Sequence, residues 1–489
     1  MAAVEARTGL EPWNRADLPA PPPTQGLQIL AVIGPGAILL GSAIGSGEWL
    51  VGPAVFVKYG LTLLWVSSIA IFLQTVLNTE LVRYTLYTGE PAVIGFMRTR
   101  PHARFWACVY ALLYLAQTGW PAWAGAAAGA IFYLFAGKLA DEAASGQVYW
   151  IGVGVYLACV AILLVGRRIE HTLEILNWIL VSTVLAGLFI LCVIVAPPER
   201  WVAAATGFAG YDWLNGGFNF MPQDADWFLI GAFAAYSGVG GVGNLTLSNW
   251  SRDKGFGMGG VVGFISAAAA GEKAAPLAHT GSVFAPDAAN MDRWRGWWRI
   301  VRADQWGVFF VGALLGMALP AILYTSVLST GEDIRGLGVA AALANGFGAG
   351  TGLAIAVAFM GAWLLFKTQL DILEGTTRAV TDILWAGSRR VRRWSKGDVR
   401  GVYYSVLAIF VGWGLIAMGL AAPFFLLQIS ANVAGVVMVI SSLHILYINT
   451  TMLPPELRPP LWRRGALVVM ALFYGFFVIL WLTSLGSGG

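Results

Sequence analysis

Apolar stretches long enough to cross a bilayer recur along almost the whole chain, separated by short polar segments. Eleven are legible, at 27–57, 61–88, 103–136, 147–165, 171–197, 226–250, 304–329, 337–371, 402–422, 424–450 and 465–486. Each is predicted to be a membrane-spanning helix, since roughly 20 apolar residues cover the hydrocarbon core. The first and eighth exceed a plain span, which suits broken or tilted helices.

Two spans carry glycine where a helix resists it. The first reads AVIGPGAILLGSAIGSGEWLVGPAVFV, with Glu48 in an apolar setting beside Gly45 and Gly47. The sixth, GAFAAYSGVGGVGNLTLSNW, crowds Gly238, Gly240, Gly241 and Gly243 at its centre. Each glycine weakens a helix by about 1 kcal/mol relative to alanine, so both spans are expected to unwind. Irregular backbone at membrane depth is tolerated where it is buried in protein or lines a cavity. Interrupted spans five apart fit two inverted five-helix repeats, 27–197 and 198–450, with an eleventh helix within 451–489. Close helix packing through small residues is the other reading of the glycines.

Composition agrees with the pattern. Of 489 residues, 58% are hydrophobic and 11% charged, which excludes an ordinary soluble domain and indicates an all-α polytopic membrane protein. Lys and Arg fall mainly in the segments that share a side with the N-terminus. Lys58, Lys138, Arg200 and Arg335 lie on the other side, and Arg83 and Lys367 lie within spans. By the positive-inside rule the N-terminus is cytoplasmic and the C-terminus outside, in a multi-pass protein of the cell membrane. Residues 1–26 read as a disordered cytoplasmic tail ending in a proline run.

In the cytoplasmic loop 251–303, Trp294, Trp297 and Trp298 alternate with Arg293, Arg295, Arg299 and Arg302. That suits a helix in the headgroup layer, or an interfacial collar leading into the seventh span. The RRVRRWSKGDVR run at 389–400 reads as a lipid-facing or topology-setting patch, with nucleic acid excluded as a partner. Cys108, Cys159 and Cys192 sit in apolar spans and read as packing residues.

A series of landmarks then resembles one family. Gly34, Pro35 and Gly36 form a GPG; eleven residues after Gly34 comes Gly45-Ser46-Gly47-Glu48. Leu63, Leu64 and Trp65, then Gln74, then Thr88 and Gly89 follow, with Gly166, Arg168 and Glu170 at the fifth span and the Gly241–Asn249 segment in the sixth. In this order they resemble the NRAMP family of proton-coupled divalent-metal transporters, which implies a LeuT-type inverted repeat of 5+5 helices plus an eleventh. The departures fall on the chemistry. Where the family has DPGN, this chain has Gly45 and Glu48 at the aspartate and asparagine positions. Where it has MPH, the methionine and histidine positions are Gly241 and Gly243. Residues 103–136 hold no acid to match the family's proton route. Without a thioether, selection of softer transition metals lacks a basis.

The expected function is a secondary transporter, not an enzyme, moving a divalent cation, with a hard ion such as magnesium favoured by the ligand types and protons as coupling ion. A small organic solute on the same fold, or a non-transporting membrane receptor or scaffold, are the alternatives. No cofactor is implied; the partners are the substrate, protons and the lipid bilayer. Glu48 is the candidate metal ligand, because an intramembrane acid is expensive to keep. The substrate site is expected at Gly45, Ser46, Gly47, Glu48, Tyr236, Ser237, Gly238, Gly241 and Asn244, and Glu48, Lys367 and Asp371 are candidates for coupling. Tyr236 and Ser237 read equally as interior helix contacts. Lys367 and Asp371 are placed near the cytoplasmic end of the eighth span, four residues apart on one helical face.

Overall fold

The computed structural model describes residues 9–24, 26–165, 169–265, 277–335 and 338–487. In chain order its main helices are α1 (Pro35–Tyr59), α2 (Leu61–Thr88), α3a (Ala103–Thr118) and α3b (Ala122–Ala136), α4 (Glu142–Leu164), α5 (Ile169–Val195), α6a (Trp227–Tyr236) and α6b (Val242–Asp253), α7 (Ala288–Val327), α8 (Gly352–Gly387), α9 (Val399–Ala417), α10 (Pro423–Thr451) and α11 (Leu461–Gly486). Among the described residues nine of these are uninterrupted, long and apolar enough to cross a membrane. The third and sixth are each cut midway, and with them the eleven predicted spans are all present. The chain is therefore a multi-pass, all-α membrane protein. Its centre is α1, buried along its whole most apolar stretch, whereas α5 and α11 turn most of theirs outward.

The sixth span breaks where its glycines predict. Ser237 to Gly241 are non-helical, with φ of +100° at Gly238, +81° at Gly240 and +58° at Gly241. Those are left-handed conformations that side chains with a Cβ avoid. The first span does not break. From Ile44 to Val51 it widens into a π-helix, then resumes as α-helix with Pro53 in the first turn. A proline ring would clash with the carbonyl four residues back, and a π-turn relieves that crowding without freeing the backbone. Gly45 and Gly47 serve packing. A Cβ on Gly45 would sit 2.0 Å from the Thr368 hydroxyl oxygen, and one on Gly47 would sit 1.7 Å from the Tyr236 carbonyl oxygen.

Four further expectations change. The third span is broken at Gly119–Pro121, where a proline restricts the residue before it. The eighth helix runs from 352 to 387 rather than 337–371, with a separate short helix at Val339–Gly346. Lys367 and Asp371 are thus buried near its middle, not near an end. The tail is ordered over 9–24. Asn14–Arg15 (β1) pairs in parallel with Ser282–Val283 (β2), Leu18 is fully buried, and Trp13 donates to Glu90 at 3.0 Å. Finally, Trp294 and Trp297 of the 251–303 loop are buried in protein rather than laid in headgroups. The Trp297 indole donates to the Pro19 carbonyl, and the Trp298 ring centre lies 4.2 and 5.2 Å from the guanidinium carbons of Arg83 and Arg463. Both arginines also bind Glu80, so α11 is held to α2 through one carboxylate. Gly166 and Arg168, and the side chains of Glu170 and His171, lie outside the described residues.

The strap of residues 9–24 and the 389–397 segment share one end of the bundle, through Glu11. At the other end Lys58, Asp226, Asp333 and Arg335 form a half-exposed ion cluster. Hydrogen bonds from Arg335 hold the Asp333 carboxyl below the usual carboxylate range. A depressed acid contributes its stability above its unfolded value, about 3.9, and loses it only as pH falls through the lower folded value.

Two outcomes follow from these contacts. Gly47→Ala should lower the melting temperature in detergent sharply, by an overpacking penalty of about 1–3 kcal/mol, while Gly154→Ala, with open space at its Cβ, changes it little. Asp333→Asn should reduce the melting temperature equally at about pH 7 and about pH 5.5, because the cluster is fully ionised across that window; an effect that disappears at the lower pH would contradict the ionic reading.

Candidate functional site

The break in α6 needs partners for its freed backbone, and two buried carboxamides provide them. Gln74 of α2 accepts at Oε1 from the Val239 and Gly240 N–H groups (3.0 and 3.2 Å) and donates through Nε2 to the Ser237 carbonyl at 2.8 Å. Gln117 of α3a accepts from Val242 N–H at 2.8 Å and donates to the Gly240 carbonyl at 3.1 Å. The same pair forbids side chains at the break: a Cβ on Gly238 would lie 2.6 Å from Gln74, and one on Gly241 2.1 Å from Gln117. The Ser237 and Gly240 carbonyls are thus occupied by protein.

Beside the break lies a small cavity of about 30 Å³, on a measure where one water occupies roughly 10–15 Å³. It sits between α1, α3, α6 and α8. Ser42, Ser46, Gln117, Trp123, Tyr236, Thr246, Trp250, Asp371 and Thr376 supply its polar and aromatic wall. Ser46 donates to the Ser42 carbonyl and accepts from Trp123 Nε1, both at 2.9 Å. Tyr236 shares a 2.5 Å hydrogen bond with Ser430, and Thr376 donates to Thr118 at 2.8 Å. Ser42 donates to Asp371 at 2.9 Å.

Asp371 is the one carboxylate on this wall, and it is not free. It pairs with Lys367 one turn away, and Asn177 of α5 approaches its other oxygen at 3.4 Å. The ammonium lies beside Gly41, where a Cβ would be 3.3 Å from Nζ. Lys367 and Asp371 therefore join α8 to α1 and α5 as a buried, mutually neutralising pair. Such a pair is costly to break from one side, because it leaves an uncompensated charge.

Glu48 stands apart from this cavity. It is fully buried, and neither carboxyl oxygen has a hydrogen-bond partner among the described residues. Its carboxyl is near the Gly238 backbone, and its Cγ packs by Gly316 of α7. Ser46 and Glu48, two positions apart on one helix, turn their side chains to different sides. Of the sequence-selected set, the structure brings Ser46, Tyr236 and Asp371 to the cavity and Glu48 and Gly238 to each other. Gly45, Gly47 and Gly241 are packing positions. Ser237 bonds Ser67 at 3.1 Å, and Asn244 donates to Asn78 at 2.8 Å. Gln117, Trp123, Thr246, Trp250 and Thr376 were not selected from the sequence; Gln117, a lone amide two residues before a Gly-Trp-Pro break, carried the one readable signal.

Ion pairs stand toward both ends of the bundle. Toward the strap, Asp253 and Glu374 bind Arg378, Asp382 binds Arg252 at 2.7 Å, and Trp250 of the cavity wall donates to Glu374 at 2.9 Å. The Asp304 carboxylate caps the start of α1, accepting from Gly34 and Gly36 N–H at 2.9 and 2.8 Å, which favours an anion at a helix N-terminus. Lys254 binds Glu174 beside the same turn. The opposite end carries the Lys58, Asp226, Asp333 and Arg335 cluster.

No family model and no curated protein sequence matches the chain. Solved structures do. The manganese transporter of Eremococcus coleocola, in complex with an aromatic bis-isothiourea substituted compound, superposes with a TM-score of 0.64 at 15% identity, over 98% of this chain and 92% of that one. A point mutant of the same transporter gives 0.62 at 16% identity, over 97% and 90%. At such identities the likeness establishes the fold alone: the LeuT-type arrangement of helices expected from the sequence.

Gln117→Leu should strand the Val242 N–H and the Gly240 carbonyl in a dry interior. Each buried unsatisfied group costs about 1–3 kcal/mol, so a marked fall in melting temperature is expected in detergent. A melting temperature equal to that of the wild type would show that the break does not depend on this carboxamide.

Proposed function

We propose that the protein is a secondary transporter of the cytoplasmic membrane, with its N-terminus inside and its C-terminus outside, working by alternating access between the repeats 27–197 and 198–450. The observation that carries this reading is the small polar cavity beside the α6 break; ion pairs stand toward each end of the bundle, and in this reading they exchange as one side opens. Its hydroxyls, indoles and already neutralised carboxylate suit a small polar organic solute bound by hydrogen bonds. Glu48, buried without a hydrogen-bond partner among the described residues and beside the non-helical backbone of the α6 break, is the group that takes up the coupling proton.

A divalent cation is the second reading, with a hard ion such as magnesium preferred. It is supported by the two unpartnered Glu48 oxygens, by the NRAMP-type landmarks and by the fold shared with a manganese transporter. Against it, no group of three His, Cys, Asp or Glu side chains capable of holding a metal occurs among the described residues.

Uptake into proteoliposomes separates these readings. A panel of amino acids and amines, beside magnesium, manganese and calcium, is offered with and without an inward proton gradient. The expected result is gradient-driven uptake of an organic solute, reduced about tenfold or more in Ser46→Ala. Glu48→Gln should retain solute exchange and lose accumulation driven by the gradient. Metal flux without solute flux, abolished by Glu48→Gln, would establish the second reading, and no flux of either kind would leave a receptor or scaffold.

A further inference from the structure

The short helix Arg389–Trp394 and the turn after it form a basic bowl with the strap. Arg389, Arg392, Arg393 and Lys396 line it together with His279 and Glu11, around a volume of about 600 Å³. Arg389, Arg393 and Lys396 are exposed. Arg392 is oriented from beneath, since its Nη1 donates to the Trp385 and Ala386 carbonyls at the end of α8. The bowl already holds one anion from the chain itself. Glu11 bonds His279 at 2.7 Å and lies 3.5 and 3.6 Å from Arg389 and Arg392. The His279 hydrogen bond, working against partial burial, keeps that carboxyl below the usual range. One carboxylate at such distances leaves most of the positive charge of four cationic side chains uncompensated.

The bowl is also tied to the bilayer surface. Only residues 388–398 connect the end of α8 to the start of α9. Trp394, within that connection, is 63% exposed, as befits an indole at a membrane interface. We propose that this bowl is a binding site for the phosphate-bearing headgroup of an anionic phospholipid, which takes the place of the Glu11 carboxylate on Arg389 and Arg392. Basic pockets at the cytoplasmic ends of transmembrane helices are suited to such headgroups. Glu11 begins the strap that pairs with β2 and leads into α1, so the headgroup competes with a contact that fastens the strap.

Binding is measured on the purified full-length protein in detergent, by titrating phosphatidylglycerol, phosphatidylcholine and inorganic phosphate and reading retained lipid by native mass spectrometry. Phosphatidylglycerol should bind about tenfold more tightly than phosphatidylcholine. The combined variant Arg389→Gln, Arg393→Gln, Lys396→Gln should lose that preference. Glu11→Gln, which removes the internal competitor, should raise phosphatidylglycerol affinity about threefold. An unchanged preference in the triple variant would overturn the proposal, as would Glu11→Gln with unaltered affinity. Competition by inorganic phosphate at equal potency would overturn the lipid as source and leave a free-anion site. If the triple variant fails to fold, the Glu11→Gln comparison decides alone.

Discussion

Two carboxamides decide the shape of this protein's interior. A helix that opens in the membrane exposes N–H and carbonyl groups where no water can serve them, and each such group costs several kcal/mol. Gln74 and Gln117 reach the opening in α6 from two different helices and satisfy both its donors and its acceptors. Each is the right side chain for the task, since one amide carries a donor and an acceptor together. The left-handed glycines and the separation of α6a from α6b are held by this bonding.

The same constraint explains why similar glycine patterns gave opposite outcomes. Glycine lowers helix propensity by about 1 kcal/mol, less than the penalty for one unserved backbone group at membrane depth. The glycines at 238, 240 and 241 could yield because glutamines stood ready. Gly45 and Gly47 face Thr368 and the Tyr236 carbonyl instead, so α1 stayed coiled and widened only into a π-turn. Composition and periodicity made the eleven spans and the sixth-span break legible, and the landmark order made the fold legible. What stayed hidden depended on partners far away in sequence. The tail looked disordered because its contacts are supplied by residues near 84–90 and 280–300, and Gln117, Thr246 and Thr376 gained meaning only once three helices met.

Charge inside this bundle is distributed in self-neutralising groups. Lys367 and Asp371 pair within one helix, while Arg252, Asp253, Glu374, Arg378 and Asp382 join α6b to α8. Buried pairs of this kind add little net stability relative to apolar packing, yet they fix which arrangement is adopted. Helices joined through ions rather than interlocked hydrocarbon can part and rejoin without leaving permanent voids, provided water enters as they separate. Glu48 stands outside these groups, with no hydrogen-bond partner for its carboxyl oxygens among the described residues.

The contacts of Trp298 with Arg83 and Arg463, which share Glu80 as partner, alter how α11 is to be regarded. It is a brace, not an ornament. With α11 gone, Glu80 would keep a single guanidinium and the Trp298 indole would lose one of its two cationic neighbours, so the charge balance buried in α2 depends on α11. Evolutionary shortening of such a chain at its end would first have to rebuild the underside of α2.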